Sequence, residues 1–151
     1  MGAIELLTED HEKVKGLFEE LLSTTNRAEK KRMELLEKIR SELLAHTKIE
    51  EEIFYPAFKQ ADGQEHKKLF FEAMEEHRAV EKLVLPDLAD TDVTSEQFPA
   101  RAKVLKELIL HHVEEEEQEL FPQARKSMNS ELLVELGERM AARRKELMKQ
   151  L

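Results

Sequence analysis

His11, His46 and Glu50 return 66 residues later as His77, His112 and Glu116, so one pattern of imidazoles and carboxylates runs through this chain twice. The surroundings repeat with it: Val14 matches Val80, Leu17 matches Leu83, Leu44 matches Leu110, Glu51 matches Glu117 and Pro56 matches Pro122. A repeated unit buries its apolar face against its neighbour. Two similar halves sharing one site are therefore expected.

The scaffold follows from periodicity. Ile4, Leu7, His11, Val14, Phe18 and Leu21 step by three and four, which lays them on one stripe of a helix. Leu36, Ile39, Leu43, His46, Glu50, Ile53 and Ala57 keep the same rhythm, as do Phe70, Ala73, His77, Val80 and Val84, and then Phe98, Ala102, Leu105, Ile109, His112 and Glu116. All six repeated residues stand where an apolar side chain is due. Proline disfavours helical geometry in the residue before it, so the second helix is expected to end or bend near Tyr55, the third to stop near Pro86, and the fourth to close at Pro122. Thr94 or Ser95 is a candidate cap for the fourth helix, and Asn129 with Ser130 for a fifth. Counted from the turns near Asn26, Ala61 and Thr91, the four histidines fall at similar depth, in one layer of an antiparallel bundle. The expected fold is all-α: an up-down-up-down four-helix bundle over about residues 3–126, with an amphipathic C-terminal helix over about 130–149, residues 1–151 forming a single domain. That last helix carries Leu132, Leu136, Met140, Leu147 and Leu151 beside Arg139, Arg143, Arg144 and Lys145, a pattern suited to packing on the bundle or on a second subunit.

Composition narrows the chemistry. With no cysteine there is no disulfide, thiolate zinc site, iron–sulfur cluster or cysteine nucleophile. Histidine and carboxylate must carry any metal. A formal charge of −9 argues against nucleic acid and anionic membrane as partners. The N-terminus has no secretory signal pattern and no apolar run is long enough for a membrane span, so a cytoplasmic protein is expected.

His46 and Glu50, like His112 and Glu116, stand one helical turn apart and point the same way. Four imidazoles and two glutamates left without partners inside a bundle would cost several kcal/mol per charge, at roughly the scale of a domain's whole stability. A divalent ion such as iron, with manganese or zinc as substitutes, satisfies both donor types. The expected ligands are His11 and His46 for one ion and His77 and His112 for the other, with Glu50 and Glu116 as bridges. Glu81 forms His77-x-x-x-Glu81 and is a further metal candidate, set against an exposed glutamate at the edge of the stripe. His111 and His66 read as surface residues, and some of Glu114, Glu115, Glu117 and Glu119 could orient a ligating imidazole. Tyr55, nine residues past His46, falls about 180° away on an ideal helix and is set aside as a ligand.

With Asp10-His11, His46-x-x-x-Glu50 followed by Phe54-Tyr55-Pro56, Glu76-His77, and His112-x-x-x-Glu116 followed by Leu120-Phe121-Pro122, the chain resembles the hemerythrin-like, His-His-Glu cation-binding domains from Ile4 to about Pro122. That resemblance implies a four-helix bundle holding a non-heme di-iron centre bridged by two carboxylates, with one open position facing an apolar pocket. Two departures set it apart from the oxygen carriers of the group: Ala73 stands where they have a histidine one turn before His77, and His112 and Glu116 are spaced by four residues rather than five. A ferritin-type site is disfavoured because no glutamate stands three residues before any of the six histidines. The expected function is binding or sensing of oxygen, nitric oxide or iron, with a di-iron redox enzyme acting on peroxide or nitric oxide as the alternative. The partners implied are iron and a small diatomic or peroxide ligand, in a monomer or weak homodimer.

Overall fold

The computed structural model describes residues 1–63 and 65–151, whose regular elements are all helices, with no strand among them. Helix α1 spans Ala3–Leu22. Helix α2 runs through Glu29–Ile49, Glu50–Phe54 and Tyr55–Ala61, helix α3 through Lys67–Ala79, Val80–Val84 and Leu85–Ala89, and helix α4 through Gln97–Glu115, Glu116–Leu120 and Phe121–Ser127. Helix α5 spans Ser130–Gln150. Helices α1 to α4 make the expected up-down-up-down bundle. Helix α5 packs on α1 and α2 of the same chain.

The middle stretch of each of α2, α3 and α4 is a π turn. In these turns the amides of Tyr55, Leu85 and Phe121 bond the carbonyls five residues back, of Glu50, Val80 and Glu116. Pro56, Pro86 and Pro122 follow immediately. A proline ring has no amide hydrogen and collides with the carbonyl four residues earlier; a widened turn moves that carbonyl aside. The prolines therefore do not end these helices, which continue to Ala61, Ala89 and Ser127.

The interior is two apolar clusters with a polar layer between them. One holds Leu7, Phe54, Phe58, Phe121, Leu136 and Met140. The other holds Val14, Phe18, Ile39, Leu88, Phe98 and Leu105. Fully burying side chains of this size contributes roughly 1.5–3 kcal/mol each. Beyond the second cluster the α1–α2 and α3–α4 loops are laced together by the buried guanidinium of Arg32, which donates to the Thr24 hydroxyl and carbonyl and to the Val93 carbonyl. It also lies 5.3 Å over the Phe98 ring.

Helix α5 begins with the expected cap, the Asn129 side chain accepting from the Leu132 amide at 2.8 Å. Neither Thr94 nor Ser95 caps α4; instead Asp92 accepts from the Thr94 amide and hydroxyl within the loop. Gly137 sets how closely α5 approaches α1. A methyl group there would lie 2.7 Å from the Gly2 carbonyl carbon and 2.8 Å from the Ala3 amide nitrogen, where no side chain fits. The described residues include no helix long and apolar enough to cross a membrane.

Candidate metal centre

The polar layer is the set of six repeated residues. Each of α1 to α4 contributes one histidine, and His11, His46, His77, His112, Glu50 and Glu116 are all buried. Glu50 Oε1 lies 3.3 Å from His46 Nε2 and 3.1 Å from His77 Nε2. Glu116 Oε1 lies 3.1 Å from His11 Nε2 and 3.4 Å from His112 Nε2. Each carboxylate thus spans two histidines from different helices. His11, His46, Glu50 and Glu116 offer donor atoms within 4.8 Å of one another, and so do Glu50, His77 and His112.

Behind each imidazole stands a second acid. Nδ1 of His46 donates to Asp10 at 3.0 Å, that of His112 to Glu76 at 2.9 Å, that of His11 to Glu117 at 2.7 Å and that of His77 to Glu51 at 2.8 Å. Binding the outer nitrogen fixes the ring plane and aims Nε2 at the centre. Asp10 and Glu76, and Glu51 and Glu117, are themselves 66 residues apart, so the outer acids obey the same repeat as the inner ones. That repetition was the available signal for them.

The charges confirm how tightly the groups are matched. Burial alone pushes His46 down, yet the neighbouring Glu50 charge and the Asp10 hydrogen bond outweigh it and hold its pKa well above the ordinary histidine value. For His77 burial is likewise outweighed, by the Glu50 carboxylate 3.1 Å away and the hydrogen bond to Glu51, and its pKa is raised to about 9. His112 is raised against the same burial, chiefly by Glu116. Burial pushes Glu50 up, but His46 and its other neighbours hold it well below the usual carboxylate range. Even so, both Glu50 oxygens and His46 Nε2 are buried without a well-aligned hydrogen bond among the described residues, the close approaches of Glu50 Oε1 to His46 and His77 being ion-pair contacts only.

Tyr55 points inward, contrary to the ideal-helix expectation. Its hydroxyl donates to Glu116 Oε2 at 2.7 Å and lies 3.4 Å from His77 Nε2, while its ring stacks on His77. The π turn is the reason. It absorbs one residue without advancing the helix, so residues beyond it are turned back by about 100°. Glu81 goes the other way: Val80 faces the interior, and Glu81 lies partly exposed with its carboxylate 3.8 Å from Lys82 Nζ. The structure does not bring it into either donor group. His111 is 65% exposed beside Glu115, and His66 is tied to Asp62 near the α2–α3 turn, both away from the layer.

Next to the histidines lies a cavity of about 30 Å³, walled by Val14, Leu43, Val80, Ile109 and Val113. That is space on the order of one water molecule. Any guest must be very small.

A four-helix bundle with a buried layer of paired imidazoles and carboxylates defines a cation-binding protein. The comparison with protein families agrees, since the family described as Hemerythrin HHE cation binding domain matches residues 2–124. The chain belongs to that family. A solved structure of a hemerythrin HHE cation binding domain-containing protein from Mycobacterium kansasii is similar over 99% of this chain and 89% of its own, with 30% identity and a TM-score of 0.86. Among curated proteins, a DNA nickase from Nostoc sp. is 30% identical over 134 residues. The match takes in 87% of this chain but only 36% of that protein.

Proposed function

We propose that the chain binds two iron ions in the polar layer, His11 and His46 serving one, His77 and His112 the other, and Glu50 and Glu116 both, and that it presents them to a diatomic or peroxide ligand in the apolar cavity. The observation that carries this reading is the buried trio of Glu50 Oε1, Glu50 Oε2 and His46 Nε2, which face the middle of the layer without a well-aligned hydrogen bond. Buried polar atoms without partners are costly, and a cation is the partner that suits carboxylate and imidazole together. The donor set fits iron, and manganese or zinc would be accepted by the same atoms. Bound there, a pair of redox-active ions would supply electrons and Lewis acidity. The protein's own part is to hold four imidazoles by their outer nitrogens, to keep bulk water out with Val14, Leu43, Val80, Ile109 and Val113, and to limit the guest by size.

Tyr55 favours a second reading, turnover of peroxide or nitric oxide, because its hydroxyl holds a proton within hydrogen-bond reach of Glu116. Anaerobic titration of metal-free protein with ferrous iron tests the first reading, two equivalents per chain being expected. Absence of saturable uptake would refute it. Consumption of peroxide or nitric oxide faster than by free iron decides the second.

A further inference from the structure

We propose that Arg144, on helix α5, is a positioning residue for the candidate metal centre, acting through Asp10 on His46 and making the two halves of the repeated site unequal. The proposal rests on the metal-binding reading above.

Asp10 is used on both sides. Its Oδ2 accepts from His46 Nδ1 at 3.0 Å, and its Oδ1 accepts from Arg144 Nε at 3.2 Å. The same guanidinium donates through Nη2 to Glu42, whose other oxygen lies 2.7 Å from Lys13 Nζ. Asp10 and Glu42 are both buried, so the carboxylate that aims His46 is clamped from two directions and its charge is balanced.

The other half has no such clamp. The repeat places Glu76 opposite Asp10 and Leu108 opposite Glu42, so the acid that would share the guanidinium is missing. Glu76 Oε1 accepts from His112 Nδ1 at 2.9 Å, while Oε2 faces the exposed His111 ring at 3.9 Å. No lysine or arginine forms an ion pair with Glu76 among the described residues. One imidazole is therefore held by a braced aspartate, and its twin by a glutamate that is partly exposed and braced on one side only.

A ligand whose direction is fixed in advance loses less freedom on binding, and removal of groups that orient a metal-binding histidine typically lowers affinity by 10–100-fold. The His11–His46 half is thus the tighter, first-filled position. Arg144 itself is one contact further out, so its loss should weaken that position by about 10-fold, the low end of this range.

The experiment uses the full chain, stripped of metal and titrated anaerobically with manganese(II) or ferrous iron in a calorimeter. Two resolved steps are expected for the wild type. Arg144→Ala should weaken the tighter step by about 10-fold and spare the other, with partial recovery in Arg144→Lys. Arg143→Ala, which removes the Glu52 pair from the same helix, should leave both steps unchanged and so separates positioning from docking of α5. Arg144→Gln keeps most of the stem and takes the place of the alanine variant if that fails to fold. Wild-type curves in the Arg144 variants, or equal weakening of both steps shared with Arg143→Ala, would overturn the proposal while leaving metal binding standing. No uptake by the wild type would overturn both.

Discussion

Tyr55 and Phe121 occupy equivalent places in the two halves, 66 residues apart. Each ring stacks on a histidine, Tyr55 on His77 and Phe121 on His11, but only Tyr55 carries a hydroxyl, and it is spent on Glu116. Tyr55→Phe would make the halves alike at this one place. Phe121 already shows that a phenyl ring is accommodated at such a place, so the variant should fold, losing about 1.5–3 kcal/mol for a hydrogen bond to a charged acceptor. Denaturant titration of the metal-free protein measures the loss, and a midpoint equal to that of the wild type would contradict it.

The metal assignment carries its own controls. Glu50→Ala and His112→Ala should each cost at least one of two bound equivalents by elemental analysis. His111→Ala and His66→Ala, which change residues outside the layer, should keep both. Equal losses at His111 and His112 would mean that the register is wrong.

Acidity should act on the metal-free protein with a defined sign. The folded pKa of His77 is raised to about 9, above the ordinary value of 6.5, so its contribution is complete below pH 6.5 and disappears as pH rises through 9. The contribution is at most about 3 kcal/mol. Melting temperature should fall across that window in metal-free protein. Metal-loaded protein should lack the fall, because a cation takes the place of the proton on Nε2. A flat profile without metal would count against the paired imidazole.

Gly137→Ala reverses the usual sign of a helical substitution. Alanine is favoured over glycine by about 1 kcal/mol in a helix interior, yet a methyl group here meets the backbone at Gly2 and Ala3. Net destabilisation of about 1–3 kcal/mol is expected from forced displacement of α5, read from thermal melting. A gain in stability would show that α5 does not pack so closely.

Most of the architecture was legible because burial imposes a period of 3.6 residues, and the six repeated residues stand in phase with it. Tyr55 departs from that period for a physical reason: an ideal helical wheel assumes a constant angle per residue, and the π turn over Glu50–Phe54 breaks it. Pro56, Pro86 and Pro122 mark those turns, but from sequence Pro86 and Pro122 read as endings and Pro56 as an ending or a bend. Asp10, Glu51, Glu76 and Glu117 repeat as faithfully as the inner acids, yet among 33 acidic residues their partners are set by neighbouring helices, which local spacing does not report. Arg144 lies outside the repeat altogether, and it meets Asp10 across 134 positions of chain.

The division of the interior into two greasy blocks separated by a charged waist has a mechanical consequence. Each block coheres on its own, and Arg32 stitches the far tip of one of them. Without a cation the four rings and two acids of the middle are held only by proton-dependent pairs between imidazole and carboxylate. The waist is therefore the part whose cohesion a bound ion would change most, and amide hydrogens in the widened turns beside Glu50 and Glu116 should exchange faster in metal-free than in metal-loaded protein, while those of the two blocks change little.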